Sequence, residues 1–121
     1  MTAPKTPPDL HLPKSDSTCT VKIINTTCEI TCPPGLLIEP AVEGMDWLNL
    51  PDYSFHITHD KSGRQLLFDL GNRYDWENSV PFIADTIRGI PGFRVQKDPT
   101  EILVEGGVKL EELEGFVLSH W

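Results

Sequence analysis

No long hydrophobic run is present in this 121-residue sequence. Its apolar stretches last only a few residues, against the roughly 20 consecutive apolar residues of a membrane-spanning helix. Pro4, Lys5, Pro7 and Pro8 stand where a secretory signal would carry an apolar stretch. A cytosolic location and no membrane partner are therefore expected, and the glycosylation pattern Asn25-Thr26-Thr27 is expected to stay unused. Basic residues are also scarce: Lys and Arg number 10 against 18 Asp and Glu, for a net charge of −8. A phosphate backbone needs a cationic footprint, so no nucleic-acid partner is expected. Cysteine is rare and odd in number, with Cys19, Cys28 and Cys32. Without a secretory signal these read as reduced thiols, and Cys28-x-x-x-Cys32 lacks the second Cys or His pair that a zinc finger requires. Internal repeats are absent. So is the aspartate spacing of a calcium loop, which leaves Glu101, Glu105, Glu111, Glu112 and Glu114 to be read as a solvated face.

What is present is a set of short elements with turn signals between them. Residues 1–18 carry Pro4, Pro7, Pro8 and Pro13 among polar residues, a composition that resists helix and central strand and reads as a flexible leader. A strand is expected over Thr20 to Ile24, then a turn at Asn25-Thr26-Thr27 and a short return over Cys28 to Thr31, before Pro33-Pro34-Gly35 breaks the chain. Leu36-Leu37-Ile38 is a further short apolar piece. The alternation of Tyr53, Phe55 and Ile57 with Ser54, His56 and Thr58, followed by Asp60-Lys61-Ser62-Gly63 and Arg64 to Asp69, predicts a hairpin. Its first strand reads as half buried, and its second, with Leu66, Leu67 and Phe68 in succession, as buried on both faces.

Asn78 is expected to cap a helix with Val80, Ile83, Ala84 and Ile87 on one face and Gly89 at a left-handed end. Asp98-Pro99-Thr100-Glu101 predicts a second helix that stops at Gly106-Gly107. Phe116-Val117-Leu118, after Gly115, reads as a short buried strand with Ser119 and His120 at its carboxyl end. That is the end at which open α/β sheets place their chemistry.

Few residues are candidates for that chemistry. His120 sits where a metal ligand would be placed. His56 and His59 are three apart in a strand, which sends them to opposite faces, and His11 lies in the leader. Asp69 and Gly71 close a strand in a turn. Trp47, Tyr74 and Trp76 read as core or as the rim of a substrate mouth.

Phe-Val-Leu-Ser-His-Trp at 116–121 resembles the strand that opens the His-x-His-x-Asp-His signature of the metallo-β-lactamase superfamily, and the sequence ends at that signature's second residue. Gln65-Leu66-Leu67-Phe68-Asp69-Leu70-Gly71 resembles the family's earlier strand ending in Asp-x-Gly. The run Glu105-Gly106-Gly107-Val108-Lys109-Leu110-Glu111-Glu112-Leu113 between them is similar to the lactonase-like branch. Val21 to Thr27 and Leu37-Ile38-Glu39-Pro40 resemble the amino-terminal strands of fungal members.

The resemblance implies an α+β fold: part of a four-layered αββα sandwich, an amino-terminal mixed sheet with helices on one face, in residues 19–121. It implies that His120 is the first metal ligand, that Asp69 and Gly71 support the metal pocket from behind, and that complete relatives hold one or two zinc ions and hydrolyse a lactone, ester, thioester or amide. This chain carries one donor of that set. The expectation is therefore a truncated member that holds no zinc stably and has no catalytic residue of its own, taking a small-molecule substrate only when complete. The later elements that would cover the last strand are missing, so exposed apolar surface and self-association through a strand edge are expected. The alternative reading is a small acidic interaction protein that binds a partner through that edge.

Overall fold

The computed structural model describes residues 6, 8–40 and 42–119. Residues 8–18 contain no helix or strand. The leader's end is nevertheless tied to the hairpin turn, where Thr18 and Thr20 donate to the Asp60 carboxylate and Asp16 pairs with Lys61 at 2.7 Å.

The chain forms an α+β fold built on one mixed sheet. Strands β1 (Cys19–Cys32), β2 (Leu48–His59), β3 (Gln65–Phe68), β4 (Gly92–Arg94) and β5 (Leu113–Val117) lie in the order β4-β1-β2-β3-β5. All neighbours are antiparallel except β3 and β5, which run parallel. A parallel pair needs a long crossover. Here that crossover carries helix α1 (Pro81–Arg88), β4 and helix α2 (Pro99–Glu105). Among the described residues no helix is long and apolar enough to cross a membrane.

The first strand departs from expectation. Instead of turning back after Ile24, β1 runs on through a bulge to Cys32, 14 residues in all. Asn25 Oδ1 accepts the Thr27 N–H at 2.9 Å and Thr27 adopts φ 59°, so the local turn signal is real. It produces a bulge rather than a reversal because pairing with β2 resumes beyond it, with Asn25 opposite Tyr53 and Glu29 opposite Pro51. The Thr27 hydroxyl then accepts the backbone N–H groups of Gln96 and Lys97, fastening the bulge to the loop before α2.

The hairpin forms as expected, with Gly63 at φ 69° in its turn. Its two faces are the reverse of a simple hydrophobic alternation. The fully covered face of β2 is polar, Ser54 and His56, and it lies beside Leu67 of β3 and Ile24 of β1. Leu67, Leu103 of α2 and Val108 form the core on this side, with Ile24 and Leu113 packed against them. The opposite face carries Val21, Ile23, Phe55, Ile57, Leu66, Phe68 and Val117 in cross-strand register. It is open: Ile23 is 68% exposed, Val21 54%, Val117 49% and Leu66 40%. β3 is thus buried on one face, not two, because only the helix side is covered by described residues. The strand expected to be buried at 116–118 is open on both faces: Phe116, in register with Leu67 on the helix side, and Val117 and Leu118 are all exposed.

α2 starts as its sequence predicts, with Asp98 accepting the Thr100 N–H at 3.0 Å and Pro99 at the first position. Burial is confined to Pro99 and Leu103, and Gly107 takes φ 81° just past the end. α1 differs. Val80 occupies the capping position, and Asn78 belongs to a preceding 3₁₀ turn, Trp76–Asn78. The turn draws Asn78 toward Asp75, whose carboxylate accepts from it at 3.3 Å, and Pro81 then opens the helix. Only Ala84 and Ile87 of the apolar stripe are buried, and Gly89 has φ −73°, not the left-handed value expected.

Candidate functional site

Parallel pairing of β3 with β5 sets Phe68 beside Val117 and brings two carboxyl ends together. Just beyond, Asp69 makes two contacts with the last described stretch. Its N–H donates to the Val117 carbonyl at 2.8 Å, and its Oδ1 accepts the Ser119 N–H at 2.7 Å. Asp69 holds φ 57°, a left-handed conformation that Asp tolerates better than most side chains. That backbone turn lets one residue hold the end of β5 through its N–H and Ser119, just beyond it, through its carboxylate. Gly71 follows at φ 66°, and a Cβ there would lie 2.6 Å from Thr26 Cγ2, so the position accepts only glycine without displacing β1. The predicted pair Asp69 and Gly71 therefore shares one turn, fixed against β5 on one side and β1 on the other. The third predicted site residue, His120, lies outside the described residues.

Behind the turn is a polar group that the sequence reading did not single out. Asn72 Nδ2 donates to Cys28 Sγ at 3.4 Å and to Asp52 Oδ2 at 3.3 Å. Thr26 Oγ1 donates to the Asp52 carbonyl at 2.8 Å. Burial holds the Asp52 carboxyl above the ordinary carboxylate range; Asp69 pushes the same way, and hydrogen bonds from Asn72 and Thr26 oppose it. Burial, with Asp52 adding to it, raises the Cys28 thiol to about 11, so Cys28 is a packed, protonated thiol and not a nucleophile. Asp52 and Asp69 both line a cavity of about 330 Å³ with Ile30, Leu50 and Leu118. Spacing along the chain gives no hint of this group. Its only sequence signal is a carboxylate inside an extended apolar stretch, Leu50-Pro51-Asp52-Tyr53.

The remaining histidines are dispersed. His56 is buried and hydrogen-bonds Gln65 at 2.7 Å, His59 turns to Ser62 at 2.7 Å, and His11 sits by Asp9 in the leader. Among the described residues no three His, Cys, Asp or Glu side chains gather where a metal ion would sit. All three cysteines are free, Cys19 exposed and Cys28 and Cys32 buried. Trp47 and Tyr74 are exposed, contrary to a core reading, while Trp76 stacks edge-on against Phe93 at 5.6 Å. The five acidic residues Glu101, Glu105, Glu111, Glu112 and Glu114 are exposed as expected, three of them paired with Lys97, Lys109 and Arg64.

The chain is 32% identical over 123 residues to a metallo-hydrolase, mfmC, of Annulohypoxylon moriforme, covering 98% of this chain and 32% of that protein. It is 35% identical over 127 residues to a gamma-lactamase, FDB1, of Fusarium pseudograminearum, covering 100% of this chain and 31% of the relative. A third similar protein is named cytochrome P450 monooxygenase mpaDE, of Penicillium brevicompactum, 31% identical over 118 residues that make up 14% of its length. No protein-family model and no solved structure matches the chain. The chain spans about a third of the length of the first two relatives. The chain is thus similar over nearly its whole length to part of proteins named metallo-hydrolase and gamma-lactamase, in line with the resemblance of its strands to the metallo-β-lactamase superfamily.

Proposed function

We propose that this chain is the layer of a zinc hydrolase that carries His120 as first metal ligand, and that the Asp69-Leu70-Gly71 turn holds Ser119, the residue before it, in place. The observation that carries the reading is the Asp69 carboxylate on the Ser119 N–H, one residue before His120. A carboxylate bonded to the backbone beside a ligand limits where that ligand can point. Zinc bound at such a site supplies Lewis-acid polarisation of a carbonyl and activation of water. A catalytic zinc needs three protein donors. The described residues gather no such set, so this reading takes the remaining donors from the part of the relatives' length that the chain does not match.

The open sheet face supports the architectural part of the proposal. Val21, Ile23, Leu66 and Val117 form an apolar surface opposite the helices, as one inner face of an αββα sandwich requires. The substrate proposed for the complete protein is a lactone, ester, thioester or amide, the gamma-lactamase name of the Fusarium relative being the nearest support. One observation favours the second reading, a strand-adding interaction module. β4 pairs with β1 only over Glu29 to Thr31, so among the described residues the outer edge of β1 from Cys19 to Asn25 has no strand beside it.

The test is an exchange. Replacing the matched third of the Fusarium relative with this chain should give a zinc-containing hydrolase, and His120→Ala in the chimera should abolish both zinc retention and turnover. A folded chimera whose zinc content and turnover survive His120→Ala would overturn the proposal.

A further inference from the structure

We propose that Asn72 is a positioning residue for the chain just past β5, at Ser119, acting by tying the Asp69-Leu70-Gly71 turn to β1 and β2. The role of position 120 in this proposal rests on the reading above; the tie itself does not.

An Asn side chain offers two N–H donors. Both are used here, and on different strands: Cys28 Sγ on β1 and Asp52 Oδ2 on β2. The place is one where the sheet cannot do this work itself. β1–β2 pairing lapses between Asn25 and Glu29, and Asp52 falls opposite that gap, between Pro51 and Tyr53. Side chains replace the missing ladder: Thr26 Oγ1 bonds the Asp52 carbonyl, the Cys28 N–H lies 3.4 Å from Thr26 Oγ1, and Asn72 bridges the two strands. Thr26 is also the side chain against which Gly71 packs without a Cβ. The bulge, the gap and the turn thus form one assembly, and Asn72 is its link to the residues that reach β5.

The arrangement also has an electrostatic side. Asp52 and Asp69 line the same cavity with like charges. Asn72 donates to Asp52 and gives that carboxylate a partner. The Asp69 carboxylate accepts from the Ser119 N–H, a charge-assisted bond of the stronger kind.

Amide hydrogen exchange of the ¹⁵N-labelled chain tests the tie. In Asn72→Leu, which keeps the size and removes the donors, the Ser119 N–H should exchange at least about ten-fold faster, while the Leu67 and Leu103 amides keep their rates. Asn72→His, which keeps a donor, should recover part of the protection. Unchanged Ser119 exchange in Asn72→Leu, alongside loss of protection in Asp69→Ala, would overturn the proposal. An equal rise at Leu67 and Leu103 would overturn it too, since that reports general loosening. In the chimera, Asn72→Leu should weaken zinc binding about ten-fold, in the range found for groups behind metal ligands. Failure of the His120 reading shows separately, as zinc retained by the His120→Ala chimera, and leaves the Ser119 result to be judged in the chain alone.

Discussion

Asp69 and Ser119, 50 residues apart in sequence, are joined by a 2.7 Å hydrogen bond from the Ser119 N–H to the Asp69 carboxylate. Asp69→Ala removes that acceptor, at about 1 kcal/mol for a partly solvated bond. It also puts alanine at φ 57°, which costs roughly 1–2 kcal/mol more. Asn tolerates the same backbone and keeps an acceptor oxygen, so Asp69→Asn should lose less than half as much. Urea unfolding of the two variants compares them directly.

Gly71 and Gly63 both sit at positive φ, 66° and 69°, but only Gly71 is crowded. Gly63→Ala should cost roughly 1–2 kcal/mol, the backbone penalty alone. Gly71→Ala adds an overlap with Thr26, for about 1–3 kcal/mol beyond that. Thermal melts of the pair, together with Gly71→Ala in a Thr26→Ser background that shortens the clash, separate the two contributions.

Asp52 is predicted to make stability fall as pH rises. Its carboxyl in the folded chain is held above its ordinary value of 3.8. The folded state therefore keeps this proton to higher pH than the unfolded chain does, and ionisation between the two values costs the folded state. The cost is absent below 3.8 and fully present above the folded value. Asp52→Asn should be more stable than the parent at pH 7, with the gain vanishing below the ordinary value. A variant that gains equally at both pH values would refer the effect to packing instead of charge.

The apolar sheet face predicts association of the isolated chain. Ile23 and Leu66 are the projecting side chains of adjoining registers, and covering each fully is worth roughly 1.5–3 kcal/mol. Ile23→Lys with Leu66→Lys should weaken self-association at least about ten-fold by sedimentation and reduce binding of a hydrophobic dye. The helical content of the double variant should match the parent, because neither residue touches the Leu67–Leu103–Val108 core.

The parts of this fold that were legible in the sequence are those fixed by a few neighbouring residues. Asp98-Pro99-Thr100 specifies a helix start, and Asp60 to Gly63 specifies a reversal between two alternating stretches. What was not legible depended on partners far along the chain. Asn25-Thr26-Thr27 reads as a turn in either outcome, and only continued pairing of Glu29 to Cys32 with Leu48 to Pro51 makes it a bulge. The alternation in β2 marks two faces but not which is covered, and the covered one proved to be Ser54 and His56, beside Ile24 and Leu67. Asp69 and Gly71 were legible as a turn because both need unusual backbone. Asn72, Cys28 and Asp52 were not, since their contact spans 20 and 44 residues with no local pattern.

The grip of the Thr27 hydroxyl on Gln96 and Lys97 sets an order of events in folding. It joins positions 69 and 70 residues apart, and the parallel β3–β5 pair likewise waits for residues 113–117. Contacts of such long range are entropically expensive to close and slow to form. On a ribosome, the β1–β2–β3 meander can assemble as soon as Phe68 has emerged, but its helix side stays bare until α2 is made. During that interval the sheet is uncovered on both sides, and its apolar residues are open to contact with other chains.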